Sequence, residues 1–275
     1  GHIDSFIEKG RADLVREFTF PYPIEVISGM LGLPPEDLPS YHRWAVELLG
    51  IFGNVEAGLA ASQKLAEYFG RLIDERRATP RNDVVSVLAH AEKDGLKLSD
   101  DENVAFLRLL LPAGAETTTR SLGNLIFGLL THPDQLEALR SDRSLLVQTE
   151  EEGLRWETSL MSVGRTPKGD TEVCGAALPA GSSVTVSLGA ANRDETRWDH
   201  PDQFDIFRER KPHIAFGYGP HTCIGMHLAR METQVAMNVL LDRLPDIRLD
   251  PDTEVEPVIL GRGLRSPTHL QVVFG

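Results

Sequence analysis

The spacing of apolar and polar residues divides the chain into a long helical part and a shorter, strand-rich part. Helical patterns extend over residues 3–20, 55–77, 83–93, 134–140, 144–157 and 226–244. Prolines mark several boundaries, and we expect Pro21 to end the first helix and Pro245 to end the last. Pro34 and Pro35, followed by two acidic residues, predict a turn that leads into another helix.

A further long helix is predicted from Ser99 to Thr131. Ser99-Asp100-Asp101-Glu102 is a capping box, in which the serine and the glutamate each satisfy a backbone N–H of the first turn. Within this helix, Pro112 and the segment Ala113-Gly114-Ala115-Glu116-Thr117-Thr118 disfavour a regular interior. A bulge or groove of the kind found at functional sites is one interpretation. Close packing of small residues in a buried helix is the other.

From Val163 the pattern changes to short alternating runs. Thr171–Cys174 and Ser183–Ser187 predict two strands separated by Pro179-Ala180-Gly181, with Cys174 packed inside the first. The tail, residues 247–274, predicts short strands and turns. The whole chain, 1–275, is therefore expected to form one mainly α (α+β) domain, rich in helices and with small β-sheets.

Composition narrows the classes of function. The chain has 275 residues, of which 41% are hydrophobic, enough to bury a sizeable core. A net charge of −13 argues against binding to nucleic acid or to an acidic membrane surface. There is no apolar run of membrane-spanning length and no signal-peptide pattern. Cys174 and Cys223 lie in settings too different to indicate a disulfide, which is typical of a cytoplasmic protein.

The main candidate for a functional site is a glycine-rich loop, Phe216 to Arg230, which brings Cys223 to the start of a helix. Backbone N–H groups at a helix N-terminus stabilise a thiolate, the form of cysteine that binds metal. Gly217 and Gly219 permit positive φ, and Gly225 leaves room for a flat group beside the sulfur. Two alternatives remain open: a buried structural cysteine, or a hydrolase nucleophile with His221 or His227 as its base.

The pattern Phe-Gly-x-Gly-x-His-x-Cys-x-Gly, followed by Leu-Ala-Arg-x-Glu, resembles the haem-binding loop of the cytochrome P-450 monooxygenases. The resemblance implies that Cys223 is the axial thiolate ligand of the iron of haem b (iron protoporphyrin IX). It also implies that His221 and Arg165 pair with haem propionates. The other residues expected to contact haem are Phe216, Gly217, Gly225 and Ala113.

The resemblance extends to three further groups of residues. Glu116 and Thr117 match the acid–alcohol pair that delivers protons on the distal side of the haem, although this branch of the family more often has Asp in the acid position. Glu152 and Arg155, which share a helix face, and Arg208 match a buried structural network beneath the haem loop. The expected substrate pocket consists of Leu110, Met161, Val163 and Leu264.

As a whole, the resemblance implies a bacterial, soluble monooxygenase that acts on an apolar organic substrate. It would use O2 and electrons from a ferredoxin and an NAD(P)H-dependent ferredoxin reductase. A basic face at Arg208, Arg210, Lys211 and Arg230 would receive an acidic electron donor. We also expect the family's N-terminal part to be absent. The chain would then aggregate, pair with another chain, or fold with the gap covered in some other way, and haem would be weakly held or absent. The alternatives are a fragment without monooxygenase activity, a peroxide-driven enzyme, and the cysteine hydrolase.

Overall fold

The computed structural model describes residues 1–51 and 53–275. They form two compact units: one comprises residues 19–119, and the other comprises residues 1–18 together with 120–275. Single-domain organisation over 1–275 stays a prediction. The helix-rich fold with small sheets is confirmed.

The described residues contain the following α-helices: α1 Pro21–Leu31, α2 Leu38–Leu49, α3 Val55–Ala78, α4 Val84–His90, α5 Asp100–Thr131, α6 Pro133–Ser141, α7 Leu146–Trp156, α8 Leu188–Ala191 and α9 Met226–Arg243. Their strands are β1 Arg11–Asp13, β2 Glu92–Lys93, β3 Leu96–Lys97, β4 Ser162–Arg165, β5 Thr171–Val173, β6 Ala176–Leu178, β7 Val184–Ser187, β8 Arg248–Leu249, β9 Ile259–Leu260, β10 Ser266–Pro267 and β11 Gln271–Val273. No helix of these described residues combines the length and apolarity needed to cross a membrane.

The unit of residues 19–119 is a helical layer around one apolar core. Its helices present buried side chains toward each other, among them Ile27, Tyr41, Phe69, Leu107 and Leu111. The predicted capping box begins α5: Glu102 N donates to Ser99 Oγ at 3.2 Å, and Ser99 N donates to Glu102 Oε2 at 2.8 Å.

The other unit combines helices with four small antiparallel sheets. Strands β1, β11 and β8 form a three-stranded sheet in the order β1-β11-β8, while β4–β7, β5–β6 and β9–β10 are two-stranded. Helix α9 buries Met237, Leu240 and Leu241 against the core. Val239 is exposed because it lies on the opposite face of α9.

The first twenty residues differ from the prediction. Instead of one amphipathic helix, they form 3-10 turns at His2–Ser5 and Ile7–Lys9, strand β1, and a π-helical turn at Val15–Thr19. β1 pairs with β11, which lies more than 250 positions away, and this pairing outweighs the local helical pattern. Pro21 also begins α1 rather than ending a helix, since proline fits the first helical turn.

Cys174 is a second correction. It is exposed, with φ of 51°, in the turn that joins β5 to β6, and it is not packed inside a strand.

Candidate functional site

The cysteine loop is shaped by two left-handed glycines and a set of short backbone hydrogen bonds. Gly217 has φ of 73° and Gly219 has φ of 79°, values that side-chain-bearing residues rarely adopt. Cys223 N donates to Phe216 O at 2.8 Å, and Thr222 N donates to Gly219 O at 3.0 Å. These bonds fold the loop back on itself and leave the Cys223 thiol exposed.

Helix α9 begins three residues after Cys223, so the thiol lies at the positive end of an 18-residue helix. A Cβ placed on Gly225 would meet only Cys223 Sγ, at 3.9 Å, so the surface beside the sulfur is open. Ile224 is 80% exposed and Tyr218 is 89% exposed. The loop therefore presents a thiol beside an open, partly apolar face, where a flat apolar group fits.

Three residues support this loop from behind, and sequence reasoning assigned no role to Glu151 or His213. Arg230 Nε donates to Glu151 Oε1 at 2.6 Å, and His213 Nε2 lies 3.2 Å from Glu151 Oε2. Burial alone would raise the pKa of Glu151, but its contacts with His213 and Arg230 outweigh burial and lower that pKa to about 2. Glu151 is thus a carboxylate held between an imidazole and a guanidinium.

The predicted contacts among Glu152, Arg155 and Arg208 are present. Arg155 Nε donates to Glu152 Oε2 at 2.7 Å, and Arg208 Nε donates to Glu152 Oε1 at 3.3 Å. Arg155 also donates to the carbonyls of Asn192, Pro201 and Gln203. The Asn192 side chain accepts from Ile214 N at 2.8 Å, two residues before Phe216. The network therefore reaches the segment that leads into the cysteine loop.

The predicted basic face is smaller than the sequence suggests. Arg208 is committed to Glu152, and Arg230 is committed to Glu151. Arg210 is exposed, while the Lys211 ammonium donates to the carbonyl of Arg197. Only part of the local positive charge is therefore available to a partner.

The two predicted propionate ligands lie at the surface of the same unit as Cys223. His221 is exposed at the end of the 3-10 turn Gly219–His221. Arg165 is exposed at the end of β4, where its guanidinium donates to Gly164 O at 2.8 Å. Most of the N–H groups of the Arg165 guanidinium take no part in that bond.

In the other unit, the segment Ala113–Thr118 lies within continuous α-helix, and the suggested bulge is not present in the described α5. Thr117 Oγ1 donates to Ala113 O at 2.9 Å, which holds the hydroxyl against its own helix. Ala113 is exposed and Thr117 half-buried on one helix face, whereas Glu116 is only 5% exposed. The helix thus carries a small-residue face with a hydroxyl beside a buried carboxyl group.

His42 on α2 belongs to the surroundings of Glu116 and was not identified from the sequence. Burial lowers the pKa of His42, and the negative charge of Glu116 opposes that shift. The His42 ring packs on Phe20, with 4.4 Å between ring centroids. A lone histidine on a helix carried no motif that could have revealed this proximity.

Three of the predicted pocket residues, Met161, Val163 and Leu264, lie in neighbouring segments of the unit that contains Cys223. Met161 N donates to Gly263 O at 2.8 Å, and Leu160 forms a β-bridge with Leu264. Val163 follows in β4, opposite Val186 of β7. Leu110 lies half-buried on α5 in the other unit.

Comparison with known proteins gives consistent matches. Residues 47–272 match the family model described as Cytochrome P-450. The chain is 41% identical to Cytochrome P-450 107B1 of Saccharopolyspora erythraea over 90% of its own length and 61% of that protein. It is 39% identical to Cytochrome P-450 CYP107DY1 of Priestia megaterium over 99% of its own length and 67% of that protein. The chain thus spans about two thirds of the length of these curated relatives.

Two solved structures resemble the chain over almost its whole length. CYP109E1 from Bacillus megaterium in complex with testosterone has a TM-score of 0.90 and 32% identity, covering 99% of this chain and 75% of the other. A P-450 named BioI, in complex with an acyl carrier protein ligated to hexadec-9Z-enoic acid, has a TM-score of 0.92 and 34% identity. That match covers 100% of this chain and 72% of the other.

Proposed function

The chain belongs to the cytochrome P-450 family, and we propose that it acts as a haem-thiolate monooxygenase on an apolar organic molecule. The observation that carries this proposal is the exposed Cys223 thiol at the start of α9, beside the open face at Gly225. A thiol presented to bulk solvent has no packing role, so a ligand role explains its position better than a structural one.

Proteins of this family bind haem b, and the residues of the cysteine loop fit that group. A soft sulfur ligand, an absent side chain at Gly225 and exposed apolar neighbours suit a flat, apolar iron macrocycle. When bound, haem supplies an iron centre that accepts electrons and activates O2, and a thiolate ligand favours cleavage of the O–O bond.

The residues of this chain have distinct proposed roles around that group. Cys223 would hold the iron, while Phe216, Gly217, Gly225 and Ala113 would line the macrocycle. Arg165 and His221 would pair with its propionates, since carboxylates in an apolar site need cationic partners. Glu116 and Thr117 move protons: the hydroxyl of Thr117 both accepts and donates, and the buried Glu116 can resupply it.

The proposed substrate is apolar. One of the related structures is a complex with testosterone, and another is a complex with an acyl carrier protein that carries hexadec-9Z-enoic acid. Leu110, Met161, Val163 and Leu264 offer this chain only apolar side chains and a thioether for contact. We propose that electrons come from a ferredoxin and an NAD(P)H-dependent reductase, and that the protein works in the cytoplasm. A peroxide-driven enzyme is disfavoured, because the pair Glu116 and Thr117 suits the activation of O2.

Oxygen labelling tests this function. The haem-loaded chain would be supplied with 18O2, a ferredoxin, its reductase, NAD(P)H and a panel of apolar substrates, including steroids and fatty acids. We expect one 18O atom per product molecule and a loss of that product in Thr117→Ala, with hydrogen peroxide released instead. Haem binding without labelled product would contradict the monooxygenase proposal for this chain.

The cysteine hydrolase is the less favoured function. Among the described residues, Cys223 Sγ makes no hydrogen bond with His221 or His227, so neither imidazole is positioned as its base. In the labelling experiment, incorporation of oxygen from H2 18O alone would favour hydrolysis.

A further inference from the structure

His213 is buried directly behind the cysteine loop, with only 5% of its side chain exposed. Ala215 N donates to His213 Nδ1 at 3.1 Å, so Nδ1 is the acceptor nitrogen and the ring proton resides on Nε2. His213 Nε2 lies 3.2 Å from Glu151 Oε2, a close polar contact that is not aligned as a hydrogen bond. The hydrogen bond from Ala215 N and this contact with Glu151 together orient the ring.

The fixed ring lies against Phe216, the first residue of the loop. The centroids of the His213 and Phe216 rings are 6.2 Å apart, and the Arg230 guanidinium carbon is 4.8 Å from the Phe216 centroid. Glu151 contacts both residues that pack on the Phe216 ring, His213 and Arg230. Arg230 donates to the Glu151 carboxylate through two nitrogens, at 2.6 and 3.1 Å. Phe216 is thus held by a histidine and an arginine that share one carboxylate.

The position of Phe216 bears on Cys223 through the backbone. Phe216 O accepts from Cys223 N at 2.8 Å, the bond that closes the loop under the thiol. Gly217, next to Phe216, has φ of 73° and donates its N–H to Ile214 O at 2.9 Å. A shift of the Phe216 ring would therefore be passed to the carbonyl that fixes the Cys223 amide.

We propose that Glu151, His213 and Arg230 form a clamp on Phe216 that fixes the direction of Cys223, with His213 as a positioning residue. The clamp does not touch the thiol. It acts through Phe216 and the backbone hydrogen bond of Cys223. The consequence for the axial ligand rests on the proposed function, whereas the ordering of the loop does not require haem.

The first test is amide hydrogen exchange in the haem-free chain, read at Cys223 and, as an internal reference, at Leu240 in the buried part of α9. His213→Phe keeps an aromatic ring but loses the hydrogen bond from Ala215 N and the polar contact with Glu151. We expect it to speed exchange at Cys223 by about tenfold or more, with Leu240 unchanged. His213→Gln, whose amide can donate to Glu151 and accept from Ala215, should restore most of the protection. His227→Phe, at an exposed position of α9, is the matched control.

Three outcomes would overturn the proposal: unchanged exchange at Cys223 in His213→Phe, an equal increase at Leu240, or no rescue by His213→Gln. If His213→Phe fails to fold, Arg230→Lys replaces it. This variant keeps the charge but removes the planar, two-nitrogen grip on Glu151, and the same local increase at Cys223 is expected.

Absorption spectra of the haem-loaded protein distinguish a failure of this inference from a failure of the proposed function. With reduced iron and CO, His213→Phe should lose part of the red-shifted, thiolate-type absorption band, and His213→Gln should keep it. If the wild type lacked that band while the exchange results held, the haem-thiolate function would be wrong and the clamp would stand. A full band in His213→Phe would contradict the clamp's effect on ligation.

Discussion

The cysteine loop and the α5 segment Ala113–Thr117 are built in opposite ways. Three kinds of constraint hold the loop: backbone hydrogen bonds from Cys223 and Gly217, left-handed glycines, and the partly buried contacts of Glu151 with Arg230 and His213. The α5 segment carries mostly small side chains, and the Thr117 hydroxyl donates to Ala113 O of its own helix. A site that must hold a ligand atom in one direction needs many constraints, whereas a site that must admit small molecules needs space.

The largest loss of stability is expected when the network that supports the cysteine loop is disrupted. Arg155→Ala leaves Glu152 as a buried carboxylate without its main partner and frees three backbone carbonyls. We expect a loss of about 3 to 5 kcal/mol in the free energy of unfolding, the cost of breaking a buried pair. Urea unfolding measures it, with exposed Arg210→Ala as the control. An equal, small effect of the two substitutions would show that the network does not hold this region.

A second prediction concerns the buried acid Glu150 on α7, which accepts from Gln234 of α9 at 2.9 Å. Burial raises its pKa from 4.5 to about 7, despite that hydrogen bond. A raised carboxyl pKa favours folding at low pH, and this contribution is lost as the pH rises from about 4.5 through 7. Glu150→Gln should therefore stabilise the protein above pH 7, by up to about 3 kcal/mol, and change little near pH 4.

Unfolding curves of Glu150→Gln at pH 4 and pH 8 check this direction, with the exposed Glu172→Gln as the control. Destabilisation at pH 8 would indicate that Glu150 is needed as a carboxylate between α7 and α9.

Two glycine substitutions within the cysteine loop compare a position with positive φ and a position with negative φ. Gly217→Ala forces a side chain into positive φ, although the added Cβ would meet His221 O only at 3.5 Å. We expect it to cost about 1 to 2 kcal/mol in the haem-free chain. Gly225→Ala, at φ of −87°, should be nearly neutral for folding. Thermal unfolding compares them, and equal costs would remove the conformational argument for Gly217.

The smallest stability effect is expected at the open region. Thr117→Val removes the hydroxyl that donates to Ala113 O but keeps the shape of the side chain. The unfolding free energy should change by less than about 0.5 kcal/mol, as for other substitutions outside the core. Product formed per NAD(P)H consumed should nevertheless fall several-fold in the haem-loaded protein. A large loss of stability with unchanged coupling would assign Thr117 to structure instead.

Features that depend on local sequence were predicted better than features that depend on contacts between distant residues. The capping box at Ser99 and the loop around Cys223 follow from local chemistry, so their positions could be inferred residue by residue. The strand at Arg11–Asp13 could not, because its partner strand lies at the other end of the chain. His213 and Glu151 were missed for the same reason: they meet across 62 positions, and each carries no motif alone. Cys174 lies in a turn and not in the predicted strand, because Cys174 and Gly175 both adopt positive φ.

The most direct test of the account is the absorption spectrum of the reduced, CO-treated, haem-loaded chain in wild type, Cys223→Ser and Cys174→Ser. The account predicts a strongly red-shifted Soret band in the wild type and in Cys174→Ser, and its disappearance in Cys223→Ser, because only Cys223 supplies the thiolate. A red-shifted band that persisted in Cys223→Ser, or a histidine-type spectrum in the wild type, would contradict the central claim.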